Sequence, residues 1–215
     1  MLVILVCCAV MAVVDGVIMP HYAVKSAVKV ALFSGVPAVF AVYDKKLGLK
    51  KLLKTNKKGL GKALLFGAAI YAAIVGGYFL LKDVFDFSAI TSALTGNIGV
   101  NRGNFVFVAI YISFVNSFLE EFFFRGFGFL TLRKVCPSKW AAAFSAAVFS
   151  LYHVAMMVGW FSAELYTLCI AGLFAGGLIF NLLDLKNKNI YTSWLVHMFA
   201  NFAINTIGFV LFQII

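Results

Sequence analysis

The sequence predicts an all-α fold, a polytopic bundle of about seven transmembrane helices. Three observations carry that expectation. The chain is 63% hydrophobic and only 12% charged, with a mean hydropathy of +1.00, whereas a soluble domain carries about a quarter charged residues. Apolar runs near the ~20 residues needed to cross a hydrocarbon core recur from one end of the chain to the other. Within each run the apolar character is continuous, so the ~10-residue alternation of a spanning β-barrel is absent.

Taken in order, the spans fall at 2–19, 26–43, 62–81, 104–130, 140–158, 165–183 and 190–212. The first carries Asp15 and is the least regular. Its opening residues, Met1-Leu2-Val3-Ile4, lack a basic n-region, so it is expected to stay as a span and not to be removed as a signal peptide. The links are too short to fold separately, and 1–215 reads as a single membrane domain. Residues 82–103 are long enough to hold a short interfacial helix. Trp140, Trp160 and Trp194 lie near span ends, as interfacial anchors do.

Eight of the eighteen basic residues, Lys45, Lys46, Lys50, Lys51, Lys54, Lys57, Lys58 and Lys62, lie in the loop between the second and third spans. If that loop is cytoplasmic, alternation puts the other basic links, with Arg133, Lys134, Lys139, Lys186 and Lys188, on the same side. The positive-inside rule then gives a cytoplasmic N-terminus. This pattern accounts for the net charge of +10 through topology and anionic headgroups, and no nucleic-acid partner is implied. Cys7, Cys8, Cys136 and Cys169 form no C-x-x-C pair and no metal-ligand spacing, and read as small apolar residues. The expected setting is an integral protein of a prokaryotic plasma membrane, with the lipid bilayer as solvent.

Ionisable groups inside spans are costly and mark function. Three polar islands stand out. Span 104–130 holds Glu120, Glu121 and Arg125, span 140–158 holds Phe149 and His153, and span 190–212 holds His197 and Asn201. At ~1.5 Å per residue, Glu120, His153 and His197 lie roughly 15, 20 and 10 Å from the cytoplasmic ends of their spans, close enough to share one cavity. His197 and Asn201 are i,i+4 on one face, and so are Glu121 and Arg125, whose order favours an intrahelical ion pair. Glu120 is turned ~100° from Glu121 in a regular helix, which leaves one carboxylate for the cavity. Taken singly, each group has a bland reading: a neutralised pair, a hydrogen-bonded core histidine, an asparagine joining helices. A bundle built for stability alone gains little from collecting them at one depth.

The motifs E-E-x-x-x-R, F-x-x-x-H and H-x-x-x-N, in this order on successive spans, resemble those of the CPBP intramembrane proteases. That family comprises CAAX proteases and bacteriocin-processing enzymes and is also called ABI or type II CAAX prenyl endopeptidase-like. The resemblance covers about 104–205, including the Gly172, Gly176, Gly177 stretch. Residues 1–103 match only as variable N-terminal spans, so 104–212 is the catalytic core. The resemblance implies a helical bundle whose site opens to the cytoplasm, acting on membrane-associated peptides or proteins.

It also implies roles. Glu120 is the general base, His153 positions or polarises the water, and His197 and Asn201 form an oxyanion hole. Glu121 and Arg125 support the site or contact substrate, and Phe149 packs it. A zinc reading uses Glu120, His153 and His197 as a His₂Glu ligand set. It then needs a separate base, so the favoured reading has no metal and no cofactor, with Zn²⁺ as the alternative. Oligomeric state is not legible. The rival class is a non-proteolytic membrane regulator or immunity protein of the same fold. A proton-coupled transporter would show repeats and broken helices, and none is visible.

Loop charge yields a first prediction. In a Cys-free variant, a cysteine at Lys54 is shielded from a membrane-impermeant thiol reagent in intact cells and one at Ser162 is labelled. The reverse pattern overturns the orientation.

Overall fold

Every long apolar run forms a helix, because a backbone in lipid must satisfy its own N–H and C=O groups. The computed structural model describes residues 1–53 and 59–215, so Lys54, Lys57 and Lys58 of the basic loop lie outside the described residues. The long helices are α1 (Leu2–Ile18), α2 (Tyr22–Tyr43), α3 (Leu60–Leu81), α5 (Phe105–Leu130), α6 (Ser138–Met156), α7 (Ala163–Asn187) and α8 (Tyr191–Leu211). The shorter α4 (Ser88–Ile98) fills the 82–103 segment. Single turns at Lys45–Leu47 and Leu49–Leu52 follow α2. Among the described residues there is no strand. By length and composition α2, α3, α5, α7 and α8 are able to cross a membrane, and α1 is a shorter apolar helix. Seven spans is therefore an approximate count.

Burial ranks the helices from the bilayer inward. In the most apolar window of α3 only 6% of residues are buried, against 44% in that of α5. Leu65, Leu80 and Phe107 accordingly face outward, as expected where lipid is as apolar as leucine. The central α5 packs against α2, α6, α7 and α8, α3 lies along α8, and α1 leans on α6. Its inner face forms an aromatic core in which Phe33 of α2 stacks on Phe123 at 4.1 Å and Phe124 meets Phe149 and Tyr152 edge-on or tilted at 5.4 and 5.7 Å.

Three helices depart from regular winding, and each contributes to the interior polar groups. Wide π-type turns occupy Val14–Ile18 in α1, Ala31–Gly35 in α2, and Tyr111–Asn116 and Glu121–Leu130 in α5. The α2 turn ends two residues before Pro37, whose ring removes an N–H from the ladder and disrupts regular winding. The α5 turns bracket Glu120. Wide turns of this kind cluster at functional sites, because an added residue re-aims the side chains around it.

The basic links gather at one end of the bundle. Lys134 Nζ donates to the Leu47 carbonyl at 2.8 Å and Tyr191 Oη to that of Leu53 at 3.0 Å. At the other end a cavity of about 130 Å³ is lined by Asp15, Met19, Lys25, Ala93, Ala155 and Trp160. This grouping of links matches the alternation expected from loop charge.

Two contacts between helices add detail. A Cβ added at Gly172 or Gly176 would meet nothing within 4 Å, whereas one at Gly177 would lie 3.0 Å from Cα of Ala146. The close approach of α7 to α6 is therefore made at Gly177, and the G-x-x-x-G pair takes no part in it. Trp194 is not solely an interfacial anchor either, since its indole N–H reaches Ser117 Oγ at 3.0 Å and ties α8 to α5.

Candidate active site

Glu120 stands where the regular turn Ser117–Glu120 meets the wide winding of Glu121–Leu130, and it is 2% exposed. Its two oxygens face different partners. Oε1 accepts from Lys29 Nζ of α2 at 2.5 Å and from Asn116 Nδ2 at 3.0 Å. Oε2 faces the imidazoles, 4.0 Å from His153 Nε2 and 3.7 Å from His197 Nε2. The structure thus brings together three residues singled out in the sequence on three helices, α5, α6 and α8.

Both histidines are oriented through their other ring nitrogen. His153 Nδ1 lies 2.7 Å from the Phe149 carbonyl, one turn back on α6. A carbonyl can only accept, so Nδ1 carries a proton and Nε2 is the nitrogen turned toward Glu120. His197 Nδ1 donates to Glu121 Oε1 at 2.8 Å. That carboxylate also takes Arg125 Nη1 at 3.3 Å. The guanidinium lies between the Phe149 and Phe180 rings, at 4.0 and 5.0 Å, and Phe180 stacks on His197 at 5.1 Å. Phe149 therefore packs against both the histidines and the arginine, and its carbonyl also fixes a tautomer.

Glu121 departs from the regular-helix expectation. Winding widens from this residue on, and its carboxylate reaches the far nitrogen of His197, so the adjacent carboxylates approach one imidazole from two sides. Asn201 lies one turn beyond His197, with Nδ2 donating to the Ile112 carbonyl at 3.1 Å. Asn205 repeats the pattern with the Ala109 carbonyl and Ser113 Oγ at 3.1 and 2.9 Å. These amides satisfy α5 carbonyls beside its first wide turn, so one Asn201 hydrogen is committed to the helix joint.

Lys29 and Asn116 escaped the reading of polar islands. A signal for Lys29 was present, since it is an ionisable residue inside the span drawn at 26–43, and the cost of such groups applies to it equally. Among the described residues, no group of three or more His, Cys, Asp or Glu side chains is arranged to hold a metal ion.

A buried carboxylate facing two oriented imidazoles inside a helical bundle is a set of groups able to activate water. Comparison with known families agrees: the model described as Type II CAAX prenyl endopeptidase Rce1-like matches residues 102–203. Over that stretch, just under half of the chain, the sequence is similar to this family of CAAX proteases, in line with its three motifs. No curated protein and no solved structure matches it.

The ion pair beneath His197 yields a prediction. Glu121 and Arg125 are both fully buried, and removing one partner strands the other at a cost of about 3–5 kcal/mol. Glu121→Gln and Arg125→Met each lower the unfolding temperature in detergent, and the double variant recovers part of that loss. Additive losses would show that the pair is not coupled.

Proposed function

We propose that the protein is an intramembrane endopeptidase that hydrolyses peptide bonds of membrane-associated proteins or peptides with water activated by Glu120. The observation that carries this reading is the convergence of Glu120 Oε2, His153 Nε2 and His197 Nε2 in one buried centre within 102–203. By the family's name, the substrate class is a prenylated CAAX terminus. The basic end of the bundle faces the cytoplasm, where such termini are presented.

Water held between Glu120 Oε2 and His153 Nε2 gives a proton to Glu120 as its oxygen attacks the scissile carbonyl carbon. The carbonyl π pair moves onto oxygen. His197 is placed to meet that charge: Glu121 on Nδ1 fixes the ring, and an Nε2–H donates to the oxyanion. The uncommitted amide hydrogen of Asn201 supplies a second donor. Collapse of the tetrahedral intermediate breaks the C–N bond, and the proton passes from Glu120 to the leaving nitrogen. Lys29 already supplies a cation to the Glu120 carboxylate, and Glu121 is engaged by His197 and Arg125. A zinc ion on Glu120, His153 and His197 would leave no carboxylate free as base, so the metal-free mechanism is the simpler one.

Purified protein in proteoliposomes should cleave a quenched fluorescent peptide ending in a prenylated CAAX sequence. Ala at Glu120, His153 or His197 lowers kcat by roughly 10²-fold or more without loss of folded protein, and Asn201→Ala by about tenfold. Elemental analysis finds no stoichiometric transition metal, and activity survives exhaustive chelation. About one zinc per chain, lost with activity and restored with it, would make the three residues ligands.

A further inference from the structure

Lys29 lies on α2, outside the matched segment 102–203, yet its ammonium is 2.5 Å from the Glu120 carboxylate. The side chain is 7% exposed. Nζ contacts Glu120 Oε1 and Asn116 Oδ1 and sits over the Phe33 and Tyr152 rings at 5.6 and 4.9 Å. Two aromatic faces and two oxygens thus confine it to one position.

The neighbouring lysine of α2 has its own partner. One turn earlier on α2, Lys25 Nζ pairs with Asp15 Oδ1 of α1 at 2.7 Å, with both side chains buried. This pair cancels itself and leaves Lys29 committed to Glu120. The consequence is a division of labour within one carboxylate. Oε1 is anchored by Lys29 and Asn116, and Oε2 is left to the imidazoles. A buried carboxylate without a partner neutralises by taking up a proton, and a protonated carboxyl cannot accept another from water.

We propose that Lys29 is a positioning residue of the active site, fixing the Glu120 carboxylate as an anion with Oε2 aimed at His153 and His197, so that the N-terminal helices complete the catalytic centre. This rests on Glu120 being the base. The bland alternative is a structural pair, whose loss would affect stability and leave the catalysis of folded protein unchanged.

The test uses full-length protein reconstituted in lipid, with infrared spectra at neutral pH and kinetics on the prenylated CAAX peptide. Lys29→Met is expected to gain a protonated-carboxyl band that is missing from Lys29→Met/Glu120→Gln. It should also lose about 10²-fold in kcat with KM within a few-fold. Lys29→Gln, which keeps a donor but no charge, behaves similarly and stands in if the Met variant does not fold. Lys29→Arg restores the cation, shows no new band and recovers most of kcat. Folded Lys29→Met or Lys29→Gln with unchanged or raised kcat, or without the band, overturns the inference. The proposed function stands in that case provided Glu120→Gln is inactive. An active Glu120→Gln overturns both.

Discussion

A carboxylate inside a lipid-solvated bundle is stable only if its surroundings compensate the charge it cannot share with water. The interior is arranged around that constraint at Glu120. Lys29 supplies the counter-charge, Asn116 donates to the same oxygen, and the rings of Phe33, Tyr152 and Phe149 close the surroundings. A second buried anion, Glu121, is compensated separately by Arg125 and His197. Neutralising the two carboxylates by different partners lets them sit side by side in the chain and do different work.

The imidazole of His197 lies between the two carboxylates. A regular helix would turn Glu120 and Glu121 ~100° apart and give one of them to the site. Both nevertheless reach His197, on opposite nitrogens. Carbonyls beside the other wide turn are taken up by Asn201 and Asn205 of α8, so α5 keeps its irregular winding and α8 is fixed against it. His197 and the asparagine that secures the joint therefore share one helix face.

Much of this was legible in the sequence because the signals involved are coarse or local. Hydropathy locates spans since lipid demands continuous apolar runs, and α4 fell where the link was too long to be a turn. Depth along each span brought Glu120, His153 and His197 together, and i,i+4 spacing gave the Glu121–Arg125 pair. What escaped depended on long-range packing or on winding. Lys29 meets Glu120 across 91 positions of chain, and no local pattern ties α2 to α5. The reach of Glu121 to His197 spans 76 positions of chain and depends on how α8 packs against α5. Nor could spacing tell that the α6–α7 approach uses Gly177, since that depends on which face of α7 meets Ala146.

The central claim is that Glu120 performs peptide hydrolysis in the membrane, and it is tested most directly where the natural substrate is present. Membrane peptides from cells with the wild-type protein and from cells with Glu120→Gln, at equal levels of folded protein, are compared by quantitative mass spectrometry of their termini. The account predicts a set of new termini at or beside membrane-attached segments in wild-type cells that is missing in the variant. Identical termini in the two samples, with the biological effect of the protein intact in the variant, would contradict it and leave a membrane regulator of the same fold.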